Sequence, residues 1–369
     1  MTTILFFLPF LLIYTLLVVY AERKVSAFIQ DRYGPMETGY YGIIQTAADI
    51  LKLLQKEDII PAAADRRLFL MGPLVIFVAI FTGFSLMPLS PGWAGSGASS
   101  GVFMLLAIIS VDVLGVLMAG WGSNSKFALY GSMRAIAQII SYEVPLGLSV
   151  LSVAVLCQSL SLQDISMQQS LWIADAAAPG ELSRNYLCGL PELGINITGV
   201  GGFLSWNIVR APFLFFAWLI FFIAGMAESN RVPFDLSEAE SELISGFHTE
   251  YSGFRWSIMM LAEYAMMMLL GLLGIVLFLG SWNTPLPNIG PLELATWTSG
   301  TPGELSGYIW GVFWLISKVI LLIFIQIWIR FTYPRLRVDQ LMSLCWKYLT
   351  PAALVLLVLT AVWRILMIS

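Results

Sequence analysis

The sequence predicts an all-α integral membrane protein with about eight transmembrane helices and an amphipathic helix in the membrane interface. Three observations predict it. Of 369 residues, 58% are apolar and only 11% charged, whereas a soluble protein carries about a quarter charged residues. Apolar runs recur along the chain, each close to the roughly 20 residues that a bilayer core requires. Lys and Arg gather in alternate connections between those runs, the pattern that orients a membrane protein.

The runs fall at about 3–21, 68–88, 102–121, 136–158, 203–227, 258–280, 308–329 and 348–368. The first lacks a basic leader and a small-residue cleavage site, and Glu22-Arg23-Lys24 follows it directly, so it reads as a retained helix. Residues 1–369 therefore form one membrane domain. The first loop, 22–67, contains the stretch Gly42–Lys56, too short to span. Ile43, Ile44, Ala47, Ile50, Leu51 and Leu54 recur there on one side, and Gln45, Asp49, Lys52 and Lys56 on the other. That periodicity predicts a helix lying in the interface plane or packed beneath the bundle.

Loop one carries Arg23, Lys24, Arg32, Lys52, Lys56, Arg66 and Arg67, and loop three Lys126 and Arg134. Loop five has Arg231 and Arg255, and loop seven Arg330, Arg335, Arg337 and Lys347. Among the even loops only Arg184 is basic. The odd loops are thus expected in the cytoplasm and both termini outside. The external connections suit a bacterial inner (plasma) membrane.

Composition also excludes classes of chemistry. Cys157, Cys188 and Cys345 form no CxxC pair, so neither a disulfide framework nor an iron–sulfur cluster is expected. His248 is the sole histidine, which excludes bis-histidine haem ligation within the chain. There is no metal-ligand cluster and no GxGxxG fingerprint, and no nucleic-acid partner is expected.

Ionisable residues within spans cost about 2.5–3.5 kcal/mol each on insertion scales and so face protein or water. Asp112, Glu143, Arg210, Glu228, Glu263 and Lys318 are the candidates, with Asp112 and Glu143 deepest by position. A structural ion pair and a functional role both account for any one of them. Several carboxylates in one bundle point towards proton exchange. Loop five, 228–257, is densest: Glu228, Asp235, Glu238, Glu240, Glu242 and Glu250 surround Arg231. A capping box explains Asp235 with Glu238. It leaves the other acids as either a solvated face or a cluster sharing protons.

Several segments resemble one family. They are Ala21-Glu-Arg-Lys24, Arg32-Tyr-Gly-Pro35, Gly42-Ile-Ile-Gln-Thr-Ala-Ala-Asp49, Gly122-Ser-Asn-Ser-Lys126, Arg134-Ala-Ile-Ala-Gln138 and Ser141-Tyr-Glu143. Glu228-Ser-Asn-Arg231, Pro233 to Leu243, Gly246 and Ala262-Glu-Tyr264 complete the set, in order, over roughly residues 15–350. The chain resembles the H subunit (subunit 1) of proton-translocating NADH–quinone oxidoreductase, respiratory complex I, and the Pro-Phe-Asp acidic segment is the most specific match. The resemblance implies an eight-helix fold whose second to sixth helices are like half an antiporter unit. It also implies a quinone chamber at the junction with the peripheral arm, involving Arg23, Arg32, Asp49, Glu228, Arg231, Phe234 and Asp235. A proton path through Glu143, Glu228, Asp235, Glu238, Glu240, Glu242 and Glu263 would lead away from it. Quinone would be the substrate, with the iron–sulfur clusters and FMN on partner subunits and antiporter-like membrane subunits alongside. Thr46 stands where many relatives carry proline, and Asp112 and the connection 157–202 match no family motif. The equivalent component of a membrane-bound hydrogenase and a stand-alone proton-coupled transporter are the alternatives.

Overall fold

The computed structural model describes residues 2–171, 197–236, 243–289 and 292–368. Helix α1, Thr2–Ile29, leads through a short 3-10 turn at Tyr40–Gly42 into α2, Gln45–Gln55. Then come α3 (Arg66–Phe84), α4 (Gly101–Gly122) and α5 (Lys126–Cys157), with the short α6 at Leu162–Met167. Ile197–Val200 (α7) and Asn207–Arg210 (α8) precede α9, Leu214–Glu228. The remainder is α10 (Gly253–Phe278), α11 (Leu294–Ser299), α12 (Leu305–Thr332), α13 (Val338–Ser343) and α14 (Thr350–Ile368). A π-helical turn at Leu344–Leu349 joins the last two. The all-α membrane class is thereby established, and strand is confined to a hairpin, Pro88–Ser90 with Trp93–Ala94, among the described residues.

Six of the described helical segments are long and apolar enough to cross a membrane: α3, α4, α5, α10, α12 and Val338–Leu366. The predicted fifth run, 203–227, is broken. Pro212 has no N–H, and the residue before a proline is pushed out of the helical region; Ala211 accordingly sits at φ −130, ψ 126. What remains as α9 is apolar but only 15 residues long. The fourth run begins earlier than expected, at Lys126, because Ala128, Gly131, Ser132 and Ala135 already bury one face. The loop-one helix is shorter than Gly42–Lys56, since Tyr41 and Gly42 adopt positive φ and stop its extension.

Small residues set the closest packing. A Cβ on Gly115 of α4 would stand 2.4 Å from Ile76 Cγ1 and 2.9 Å from its backbone nitrogen on α3. Glycine lets the two helix backbones touch, as membrane bundles without a hydrophobic driving force require. At the centre lies α10, in which every residue from Ala265 to Phe278 is buried. A helix apolar all round belongs inside a bundle. The C-terminal segment closes on α5, where Tyr142 Oη donates to the Leu341 carbonyl at 3.0 Å and Cys345 Sγ to that of Ser141 at 3.0 Å.

Candidate functional site

Charged residues gather where the loop-one end of α1 meets the start of α10 and the end of α12. On the surface, Arg23 of α1 pairs with Asp49 of α2 at 2.5 Å. Gln45 Nε2 donates to the same carboxylate at 3.1 Å, and Thr38 Oγ1 to Gln45 Oε1 at 2.6 Å. The polar edge of α2 therefore faces the protein, and Ile44, Leu51 and Leu54 are exposed. Lys24 Nζ ties the following turn by donating to Pro35 O at 2.7 Å. Arg32 is exposed and bonds Gln30.

Beneath that rim lies a buried node. Glu22 accepts from Tyr264 Oη at 2.6 Å and from Arg330, and Arg231 stands 3.8 Å away. The Arg231 guanidinium lies over the Tyr264 ring, 4.0 Å from its centroid, a cation–π geometry. The end of α9 places it there. Asn230 turns at φ +50, and Arg231 N donates back to Met226 O at 3.2 Å. Burial works against the charge on Arg231, but Tyr264, Glu22 and Glu263 outweigh it and hold the guanidinium firmly protonated.

A second cluster sits one helix further in. Asp112 of α4, Glu228 at the end of α9, His248 and Glu263 of α10 line one cavity of about 20 Å³. That is room for one water molecule. Among the described residues neither Asp112 Oδ1 nor Glu228 Oε2 has a hydrogen-bond partner, and both side chains are buried. His248 Nε2 is 2.9 Å from Glu263 Oε1. Glu143 of α5 accepts from Ser110 and lies within electrostatic reach of Glu228, as does Asp112. Gln138 fixes the corner by donating to Ala227 O at 2.6 Å and Asn230 Oδ1 at 3.3 Å. Nearby, Tyr251 stacks on Phe69 at 4.2 Å, and burial pushes its phenol above the ordinary range.

The predicted residues thus divide. Glu143, Glu228 and Glu263 come together around the interior, with Arg231 beside them. Asp235 instead pairs with Arg335 at 3.2 Å, and Phe234 packs edge-on against Tyr142. Glu238, Glu240 and Glu242 lie outside the described residues. Lys318, a candidate by depth, donates to the carbonyls of Leu279, Ser281 and Asn283 at 2.8, 3.0 and 2.6 Å. It gathers the carbonyls of the turn that follows α10, which accounts for its burial by a structural role. Arg210 likewise reaches the Gln168 carbonyl at 3.3 Å. Sequence reasoning missed Glu22, Tyr264, Arg330 and His248 as site residues. Glu22 and Tyr264 stood within matched motifs, whereas Arg330 was counted only as an orienting charge.

Fold and site together define an integral membrane protein with a charged interior at one end of its helix bundle. Its sequence matches the NADH dehydrogenase family over residues 1–361. It is 57% identical over 367 residues to the NADH-quinone oxidoreductase H subunit 2 of Cytophaga hutchinsonii, covering 100% of both chains. With the H subunit of Chlorobaculum parvum the identity is 48% over 347 residues, 94% of this chain and 87% of that one. With the H subunit of Geobacillus thermodenitrificans it is 41% over 345 residues, 93% and 88% respectively. The chain belongs to the NADH dehydrogenase family, among the H subunits of NADH–quinone oxidoreductase. It is a membrane component of a redox enzyme complex, and the other subunits of that complex are its partners.

Proposed function

We propose that this chain builds part of the quinone chamber and couples quinone reduction to proton translocation through its buried carboxylates. One observation carries the reading. Asp112, Glu228 and Glu263, from three different helices, meet around a single water-sized cavity. Desolvating three carboxyl groups around one cavity is costly unless protons are shared among them, and interacting groups of this kind titrate as a coupled set. The cluster is joined to the rim by Arg231, which interacts with both Glu263 and Glu22.

The rim of the chamber comprises Arg23, Arg32 and Asp49. Arg231 and Glu228 stand behind it, with Phe234 and Asp235 supporting the loop. Quinone takes up two electrons and two protons, and that change of charge at the rim alters the field on Glu22 and Arg231. Glu228 and Glu263 respond by exchanging a proton, and Glu143 continues the route into the bundle. Asp235, Glu238, Glu240 and Glu242 supply its loop-five end. The electrons come from FMN and iron–sulfur clusters on peripheral-arm partners. Antiporter-like membrane subunits receive the proton or field change. The odd loops face the cytoplasm and the termini the periplasm of a bacterial inner membrane.

The test is Glu228→Gln in the assembled complex. Quinone reductase activity and proton pumping are expected to fall together by about 100-fold, within the range for losing a proton-transfer group. Undiminished rates in complex assembled to normal levels overturn the reading.

A further inference from the structure

We infer that His248 and Glu263 act as one proton-loading site, with His248 the group that takes the proton from the cavity. The inference rests on the acidic path proposed above and assigns it a member that is not a carboxylate. His248 is 2% exposed, lines the cavity with Asp112 and Glu228, and holds Glu263 at 2.9 Å. The ring is held in place by its surroundings. Phe247 lies against it with centroids 4.1 Å apart, and the turn at Gly246 is pressed onto α5. A Cβ on Gly131 would stand 2.7 Å from Gly246 Cα, so only glycine permits this seating. So close a fit, with Nε2 directed at a carboxylate, suits a group that must keep one proton partner.

The helices around His248 carry Asp112 on α4, Arg134 and Glu143 on α5, Glu228 on α9 and Glu263 on α10. In the resting pair a neutral imidazole faces a carboxylate, a net charge of minus one. One proton from the cavity converts it to imidazolium and carboxylate, net zero. The same proton leaves when the pair is discharged, so nothing else is consumed. Loading leaves the Glu263 carboxylate in place but sets a positive charge against it, which weakens its hold on Arg231 and strengthens the claim of Glu22 on that guanidinium. Imidazole is the side chain suited to this exchange, because it ordinarily changes charge between about pH 5 and 8. A purely structural histidine would hold Glu263 without gaining or losing a proton.

The experiment uses His248→Asn in the intact complex, reconstituted in vesicles, because the asparagine amide is polar and fits the space of the ring but cannot titrate. Coupled turnover at neutral pH is expected to fall about tenfold, and its dependence on pH between about 6 and 8 to flatten. Glu263→Gln is expected to show the same flattening, and the double variant to be no worse than either single one, as for two members of one unit. If His248→Asn impairs assembly, His248→Gln and infrared difference spectra of the native complex replace it; an imidazole band titrating together with a carboxyl band is the expected signal. An unchanged pH profile in His248→Asn, or an imidazole band that does not titrate, overturns the inference. Should Glu228→Gln abolish coupling while His248→Asn leaves it intact, the acidic path stands and this assignment alone falls.

Discussion

Two ion-pair clusters on the same side of the protein, one at the rim and one in the interior, use the same residue types to opposite ends. Arg23 and Asp49 meet at 2.5 Å, yet their side chains remain 43% and 34% exposed. Water already solvates both charges, so the pair orients α2 on α1 and contributes little stability. The adjacent residue in sequence, Glu22, is 11% exposed and is held by Tyr264, Arg330 and Arg231. There each charge depends on the others, because removing one partner leaves an uncompensated buried ion. One residue along α1 separates a surface contact that adds little stability from a buried one on which its partners depend.

That contrast sets an order of expected effects. Glu22→Gln comes first. It leaves Arg231 and Arg330 without their shared carboxylate and is expected to destabilise by about 3–5 kcal/mol, seen as loss of assembled complex and a lower inactivation temperature. Gly115→Val on α4 is next. Its side chain collides with Ile76, and a loss of about 1–3 kcal/mol follows by the same measurement. Asp49→Asn is smallest, at roughly 0.2–1 kcal/mol and shrinking further in high salt. A larger loss from Asp49→Asn than from Glu22→Gln would reverse the comparison between rim and interior.

Much of the fold was legible because the bilayer imposes a simple rule on composition. Runs of apolar residues marked the long helices, six of which are long and apolar enough to cross a membrane among the described residues. The break at Ala211 was not read, although Pro212 was its visible signal. Apolar length had outweighed it. The site was legible only in part. Glu228 and Glu263 stood out as acids in apolar surroundings, and the structure brings them to one cavity. Asp112, which matched no motif, joins them there. The node itself was hidden, since Tyr264 lies 242 residues and Arg330 308 residues from Glu22, and no local pattern links such positions. Lys318 shows the opposite case. It was conspicuous in sequence, but three carbonyls explain it. Depth in a span identifies a residue that needs partners; only the partners show whether it ties down a turn or lines a shared cavity.

The central claim is that the interior carboxylates carry coupling while the rim handles quinone. It is tested most directly by measuring the proton-to-electron ratio and the quinone KM of the reconstituted complex in Glu263→Gln and Asp49→Asn side by side. Glu263→Gln is expected to depress proton-coupled turnover with little change in KM. Asp49→Asn is expected to raise KM and leave the proton-to-electron ratio as it was. Coupling that survives intact in Glu263→Gln, or fails equally in Asp49→Asn, would contradict the account.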